Sequence, residues 1–274
     1  MRKYLALITL IGLVLLVACS NDESASASDV RKVKVAYAQA GKPVSYTDED
    51  GKPTGYDVEV IKAVAEKLPQ YEFEFVGTSD DDLLIGVEQG KFQIGLKNAF
   101  YTDERAEKFL YPEEHIGLSS IGFVLKKEDE AIETLADFAD ADYKLAPIAT
   151  NNAQYAVIDT YNQENPDNEV NLVAGDVFSL DVVQWVLEGR ADGGIIIEGT
   201  YHRQITDDEA PYKHLEDDLV YKEFDVIETW PLFNREEEDL VKDFDQALKE
   251  VKEEGIVNDL SVQFYGKDLF ELEQ

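Results

Sequence analysis

The stretch Phe92-Gln93-Ile94-Gly95-Leu96-Lys97-Asn98-Ala99-Phe100-Tyr101-Thr102-Asp103-Glu104-Arg105 has the pattern of a short buried strand followed by the start of a helix. Thr102 is a good N-cap residue, and Asp103 and Glu104 complement the dipole in the first helical turn. Arg105 is unexpected, because a capping box carries Glu or Gln three residues after the cap. An arginine beside free backbone N–H groups forms a site for a carboxylate, whereas the alternative is a solvated arginine paired with a nearby acid.

The segment before this stretch alternates between strand and helix patterns. Apolar alternation and helical spacing predict four elements there: strands at 33–37 and 71–76, and helices at 58–68, which Asp57 would cap, and at 83–89. Alternating strands and helices predict an α/β fold with parallel strands.

A second series of similar elements follows. Its predicted elements are strands at 121–125, 143–148, 170–173 and 191–197, and helices at 151–162, capped by Thr150, and at 180–188. Both series place a helix, a glycine with a basic residue, and a strand in the same order, at Gly90-Lys91 and at Gly189-Arg190. The repeated order predicts two α/β lobes of like construction. Later spacing predicts amphipathic helices at 236–253 and 257–264.

Composition excludes several classes of function. The chain has 274 residues, of which 44% are hydrophobic, which is enough for one large or two medium domains. A formal net charge of −33 argues against nucleic-acid binding, because an acidic surface repels phosphates. Cys19 is the only cysteine, and His115, His202 and His214 lack the spacing of metal ligands. We therefore expect no disulfide, no metal site and no cofactor.

The first 30 residues have the pattern of a targeting segment. Residues 1–18 combine a basic start with an apolar run that is too short to span a membrane comfortably. Leu16-Val17-Ala18-Cys19 looks like a bacterial lipobox, in which the cysteine is acylated and becomes the first mature residue. The alternative is a simple secretory signal with an incidental cysteine. Residues 19–30 are mostly small and polar, which predicts a flexible tether.

Several short motifs, in order over nearly the whole mature chain, resemble the extracytoplasmic solute-binding proteins of ATP-driven amino-acid importers. These motifs are Gly55-Tyr56-Asp57-Val58-Glu59-Val60, Gly90-Lys91-Phe92, Thr102-Asp103-Glu104-Arg105, Gly189-Arg190-Ala191-Asp192, and a closing pattern from Leu248 to Gly266. The first motif, Asn98 and the segment 161–168 look most like the cystine-binding subgroup of this polar amino-acid family.

The resemblance implies a two-lobed α/β fold of the periplasmic-binding-protein (Venus-flytrap) type, type II, with a ligand cleft between the lobes. Chain order would place lobe one at 31–118 and 226–274 and lobe two at 122–222, joined by two hinge strands. Ligands would then bind at the carboxyl edges of the sheets.

The resemblance also implies a set of ligand-binding residues. The carboxylate-binding arginine of the family falls on Arg105, a residue that contacts polar groups of the ligand falls on Asn98, and a residue that offers its backbone falls on Phe100. In lobe two, a Gly-Ser-Thr turn of the family falls on 149–151, which gives Thr150 and Asn151 as ligand contacts.

Three positions depart from the pattern of the family. The aromatic residue that stacks on many ligands is replaced by Asp80, and the aspartate that receives the ligand ammonium is replaced by Ile197. Gln93 stands where an aspartate is common. Glu198 could replace the missing aspartate if the strand ends at Ile197 and the chain turns, since alternation on a strand would otherwise place it on the opposite face. Asp80 is the alternative.

The resulting prediction is a monomeric, lipid-anchored receptor on the extracellular face of a bacterial membrane. It would capture a polar amino acid, with cystine as a candidate, and deliver it to a permease of the ABC type. One alternative is an enzyme on the same fold, in which paired carboxylates at 80–82 or Glu198 act as acid and base, but no nucleophile–base pair supports it. The other alternative is an adhesin or signalling module that uses the fold for protein contacts.

Overall fold

The computed structural model describes residues 30–150, 152–175 and 181–272. The predicted leader, Cys19, nearly all of the predicted tether and Asn151 lie outside the described residues. Within them, no helix combines the length and the apolar character that a membrane span requires.

The described chain contains strands of two to fifteen residues. They are β1 (Arg31–Ala38), β2 (Ala40–Gly41), β3 (Ser45–Thr47), β4 (Pro53–Thr54), β5 (Tyr71–Thr78), β6 (Ile94–Ala99), β7 (Gly117–Lys126), β8 (Ile148–Ala149), β9 (Ala174–Gly175), β10 (Gly193–Ile197) and β11 (Leu219–Phe233).

Helices connect most of these strands. They are α1 (Tyr56–Lys67), α2 (Asp80–Glu88), α3 (Asp103–Lys108), α4 (Leu135–Asp140), α5 (Ala153–Glu164), α6 (Val182–Leu187), α7 (Glu198–Tyr201), α8 (Glu238–Glu253) and α9 (Ile256–Tyr265). A π-helical turn, His202–Thr206, continues directly from α7.

The main sheet has six strands in the order β10-β7-β11-β6-β1-β5. Strand β1 is parallel to both β5 and β6, whereas β7 is antiparallel to β10 and β11. The α/β architecture predicted from the alternating pattern is confirmed, although the parallel pairs of this sheet involve only β1, β5 and β6.

Strands β7 and β11 run through both halves of the molecule. They pair from Leu219 opposite Lys126 to Thr229 opposite Gly117, and beyond this ladder β11 pairs with β6. The register of β11 shifts between Glu223 and Asp225. This bulge lies between residues 222 and 226, where the sequence predicts that the chain crosses from lobe two back to lobe one, and a bulge bends a strand and increases its twist.

Buried apolar side chains form separate clusters in the two halves. One large cluster contains Val33, Ile61 and Phe244, and another contains Phe123, Phe138 and Ile158. The predicted apolar face of α8 is confirmed, since its residues Leu240, Phe244, Ala247, Leu248 and Val251 are buried and its sixth residue, Val241, is partly buried. These clusters fix the helices against the sheet and so position the ends of the strands and helices that are described below.

Two predicted strands are wrong in their bounds. The segment 143–148 forms a strand only at Ile148–Ala149, because Pro147 has no N–H to donate to a ladder. The segment 170–173 is not a strand, since the side chain of Asn162 binds both the N–H and the C=O of Val170 at 2.8 Å. The strand begins later, at Ala174.

Two predicted helix caps are also wrong. Helix α1 begins at Tyr56, after Gly55 at φ 112°, so that Asp57 lies inside the first turn with its carboxyl group buried. Helix α5 is capped by Asn152, whose Oδ1 accepts a hydrogen bond from Gln154 N at 3.2 Å, and not by Thr150. Asparagine is at least as good an N-cap as threonine, so the sequence allowed either start.

Candidate functional site

A cavity of about 970 Å³ lies where chain segments from both halves meet. The carboxyl ends of β5, β6 and β10 all reach it, as the rule for open α/β sheets predicts. Strand β7 contributes Ser119 and Ser120 from its middle. The lining residues used below are Asp80, Lys97, Asn98, Phe100, Arg105, Asn152, Gln154, Glu198 and Arg203.

Arg105 is held in place by the turn that precedes it. Thr102 Oγ1 accepts a hydrogen bond from Arg105 N at 3.2 Å, which confirms Thr102 as the N-cap of α3. Arg105 Nη1 donates to the carbonyl oxygen of Phe100 at 2.8 Å, and the Tyr111 hydroxyl donates to the same oxygen at 3.1 Å. Burial raises the pKa of Tyr111 to about 12, so this hydroxyl keeps its proton at neutral pH. Within the described residues the guanidinium group forms no ion pair.

Phe100 therefore has a more specific role than the sequence predicted. A carbonyl oxygen has two lone pairs, and here both face internal donors, one from Arg105 and one from Tyr111. The backbone oxygen of Phe100 orients the arginine, because it fixes one end of the planar guanidinium group. The remaining guanidinium N–H groups are the donors that a ligand could engage.

Asn98 lies at the end of β6 in a left-handed conformation, with φ 55°. Its side-chain oxygen accepts a hydrogen bond from Ser119 Oγ at 2.8 Å, and its backbone N donates to Asp57 Oδ2 at 3.3 Å. Within the described part of the chain its side-chain amino group donates to no partner. Unusual backbone conformations of this kind cluster at ligand sites, and here two neighbours hold the residue in it.

Asp57 supports Asn98 by accepting the hydrogen bond from its backbone N, and the sequence did not predict this role. The carboxyl group is 1% exposed, and its Oδ1 has no hydrogen-bond partner among the described residues. Burial raises the pKa of Asp57 from 3.8 to about 7, and the hydrogen bond from Asn98 N opposes that rise only in part. The sequence signal that could have revealed this role is Gly55. Because Gly55 is the N-cap residue and α1 begins at Tyr56, Asp57 lies inside the helix and cannot cap it.

Glu198 lies in the cavity because the chain turns where the sequence allowed it to turn. Strand β10 ends at Ile197 and α7 begins at Glu198, so strand alternation no longer determines where its side chain points. Lys267 Nζ lies 3.3 Å from Glu198 Oε2 and also pairs with Glu223 on β11. Glu198 thus already has a cationic partner from the carboxyl-terminal segment, which it shares with Glu223.

Asp80, the alternative acid, is the first residue of α2. Its Oδ2 lies 3.3 Å from Lys97 Nζ, and 61% of its side chain is exposed. Both predicted acids therefore line the cavity, and each holds a lysine.

Besides Glu198, the second half of the molecule supplies residues near the start of α5 that the sequence did not single out. Thr150 is exposed and is not among the residues that line the cavity, and Asn151 lies outside the described residues. Asn152 and Gln154 line it instead, at the amino-terminal end of α5. Gln154 is 6% exposed, and its Oε1 has no partner in the described structure.

Arg203 is a further basic residue that the sequence did not single out. It lies on the π-helical turn after α7, and its Nη2 donates to Thr200 Oγ1 at 3.0 Å. The cavity thus contains two arginines, one from each half of the molecule. No group of three or more His, Cys, Asp or Glu side chains in the described structure is arranged to hold a metal ion.

Comparison with known proteins shows how widespread this architecture is. The family described as bacterial extracellular solute-binding proteins, family 3, matches residues 33–267. The L-cystine-binding protein TcyJ of Bacillus subtilis is 27% identical over 267 residues, which cover 97% of this chain and 96% of the relative.

Solved structures of similar proteins share the fold. The probable amino-acid ABC transporter extracellular-binding protein ytmK of Bacillus subtilis superposes with a TM-score of 0.65 at 22% identity, over 87% of this chain and 99% of the other. The L-cystine solute receptor of Neisseria gonorrhoeae, in its unliganded open conformation, gives a TM-score of 0.58 at 25% identity, over 88% of this chain and 95% of the receptor chain.

Proposed function

Because the chain belongs to the bacterial extracellular solute-binding proteins of family 3, we propose that it captures a polar amino acid, such as cystine, and delivers it to an ABC transporter permease. Its fold is the two-lobed α/β fold of these proteins. One observation carries the proposal: Arg105 lines a cavity that both halves of the molecule share, its position is fixed by Thr102 and Phe100, and it forms no ion pair within the described residues.

The geometry supports recognition of an α-amino acid at Arg105. A planar guanidinium group with one N–H already anchored presents its other donors in a fixed direction, which suits a carboxylate. Asn98 supplies an unpaired amide donor from the same half of the cavity, and Asn152 and Gln154 supply polar groups from the other half. The ligand ammonium would lie at Glu198 or at Asp80, where it would share the carboxylate with Lys267 or Lys97.

The cellular part of the proposal rests on the amino-terminal sequence. Acylation of Cys19 would anchor the mature chain to the extracellular face of the membrane, and residues 20–30 would give the folded part freedom to reach a permease. The protein would act as a monomer and would release its ligand unchanged. In support of binding without catalysis, the curated relative that aligns over 97% of this chain is named as a binding protein.

Identification of the bound molecule tests this function. The mature protein is purified without denaturation, and any small molecule released from it is identified by mass spectrometry. Protein that has been unfolded, dialysed and refolded is then titrated with that molecule while its melting temperature is followed, since a ligand that binds only the folded state raises it. We expect an amino acid and a saturable rise. If neither cystine nor any other amino acid produces a rise, the proposal is wrong and the adhesin or signalling alternative gains support. Turnover of the bound amino acid would instead favour the enzyme.

A further inference from the structure

The charged side chains that line the cavity divide into paired and unpaired groups. Lys97 lies 3.3 Å from a carboxylate oxygen of Asp80, and Glu198 is paired with Lys267 at 3.3 Å. Arg105 and Arg203 form no ion pair within residues 30–150, 152–175 and 181–272. Asp181 also lines the cavity without an ion pair there, but its two carboxylate oxygens accept hydrogen bonds from Gln184 N at 3.0 Å and from the Tyr212 hydroxyl at 2.6 Å. The cavity therefore offers two guanidinium groups whose charges no contacting side chain of the described structure neutralises.

Unpaired arginines are unexpected in this chain, in which 58 acidic residues face 25 basic ones. The arginines outside the cavity that the structure describes have partners: Arg31 pairs with Glu237 at 2.5 Å and Arg190 with Glu188 at 3.5 Å. Arg235 donates to the carbonyl oxygen of Ala106 at 2.9 Å, near the end of α3. Arg235 also lacks an ion pair among the described residues, but it lies outside the cavity, against carbonyl oxygens at the end of α3. Arg105 and Arg203 are the described arginines that both lack an ion pair and line the cavity, where an external anion can reach them.

The surroundings of Arg203 orient it without neutralising it. The π-helical turn that carries it is anchored by Tyr201 and Ile205, which are 8% and 0% exposed. Thr200 Oγ1 accepts a hydrogen bond from Nη2 at 3.0 Å. The cavity wall lowers the pKa of Arg203 by desolvation, and the carboxylates of Asp207 and Asp80 act in the opposite direction. π-Helical turns of this kind occur frequently at functional sites.

We propose that Arg203 binds a second carboxylate of the ligand, so that the ligand class is amino acids with two carboxylates, one at Arg105 and one at Arg203. This inference rests on the proposed function, because it assumes that Arg105 binds the first carboxylate. The cavity volume of about 970 Å³ is at the upper end of the usual range of ligand pockets, roughly 300–1,000 Å³, and leaves room beyond a single small amino acid. Since the two arginines come from different halves, a ligand with two carboxylates would connect them.

A competing role for Arg203 is a direct contact with Asp80 across the cavity when the halves approach each other. That contact would assist closure around any ligand, whatever its charge. The two roles predict different dependence on the second carboxylate, and one pair of ligands separates them.

The test uses cystine and the mixed disulfide of cysteine with cysteamine, which is cystine without one carboxylate. Calorimetric titration measures both ligands with the wild-type protein, Arg203→Gln, Arg203→Lys and the control Arg190→Gln, which lies outside the cavity. We expect Arg203→Gln to weaken cystine binding about 10- to 100-fold, which is the usual effect of losing a hydrogen bond to a charged group. The affinity for the mixed disulfide should stay within about twofold of the wild-type value. Arg203→Lys should retain part of the preference for cystine, because it keeps the charge, and Arg190→Gln should change neither affinity.

Four results would overturn the inference. Equal losses for both ligands in Arg203→Gln would indicate the Asp80 contact, and an unchanged affinity for cystine would remove Arg203 from the site. A wild-type protein that binds amino acids with one carboxylate, but none with two, would also overturn it while the proposed function stands. If no amino acid binds at all, the proposed function fails and the inference fails with it. Circular dichroism and melting of each variant show that a lost affinity is not lost folding.

Discussion

Replacing Asp57 with asparagine should change the way in which the stability of the ligand-free protein depends on pH. The structure buries this carboxyl group under Asn98 and raises its pKa from 3.8 to about 7. An acid whose pKa is raised by folding is neutral in the folded state, but ionised in the unfolded state, between the two values. The wild-type protein should therefore lose stability as pH rises from about 4 to about 7, because the unfolded state releases the proton first.

The size of this loss follows from the change in pKa. Each pKa unit corresponds to about 1.4 kcal/mol, so the loss approaches about 4 kcal/mol at pH 7 and stays constant above it. Asparagine resembles the neutral carboxyl group in shape and charge, and Asp57→Asn lacks the titration. The free energy of unfolding of Asp57→Asn, minus that of the wild type, should then rise by about 4 kcal/mol between pH 4 and pH 7. A constant offset from the altered hydrogen bonding does not affect this rise.

Urea unfolding at a series of pH values, followed by the fluorescence of Trp185 and Trp230, measures the difference. The matched control is Asp81→Asn, which makes the same chemical change at an exposed position on α2. A difference between Asp57→Asn and the wild type that stays flat from pH 4 to pH 8 would refute the reasoning, because it would mean that Asp57 ionises in the folded state as readily as in the unfolded chain.

Three further predictions concern binding, closure and anchoring. Arg105→Ala should weaken binding of the native ligand roughly 30- to several-thousand-fold in calorimetry, Arg105→Lys should also bind poorly, and near-normal affinity in either would remove Arg105 from the site. Saturating ligand should decrease the radius of gyration in small-angle scattering, since a ligand that contacts both halves favours the closed population, and an unchanged radius would contradict closure. Cys19→Ala should release the protein from membranes or leave its leader uncleaved, whereas a processed variant that stays membrane-bound would exclude lipid anchoring at this residue.

Local patterns predicted the elements of the fold well where the chain follows local rules. Strand alternation gave β1 and β5, helical spacing gave α8 with its buried face, and Thr102 was correctly assigned as a cap. The errors occurred where a side chain or a glycine competes with the local rule. Asn162 takes the backbone hydrogen bonds of Val170, and Gly55 starts α1 before Asp57 can cap it.

The candidate site was less predictable, because it depends on where distant segments meet. Arg203 has no local signature, and it lines the cavity only because the π-helical turn continues α7 beyond the end of β10. Lys267 meets Glu198 across a sequence separation of 69 residues, which no local spacing can indicate. Asn152 lines the cavity and Thr150 does not, because α5 starts two residues later than the sequence predicted. Both Thr150 and Asn152 can cap a helix, so local preferences did not determine the start.

The pairing of charges in the cavity also determines which end of a ligand meets a prepared site. A carboxylate arriving at Arg105 finds an oriented guanidinium group that forms no ion pair within the described residues, so binding has no ion pair to break there. An ammonium arriving at Glu198 must compete with Lys267, and one arriving at Asp80 must compete with Lys97. Ile197, the last residue of β10, brings an apolar side chain and no acid to this part of the cavity. Asp181 has no competing cation within the described residues, but both of its carboxylate oxygens already accept hydrogen bonds, from Gln184 N and from the Tyr212 hydroxyl. The two arginines are therefore the most open charged groups of the cavity, and its selectivity should depend strongly on the number and spacing of ligand carboxylates.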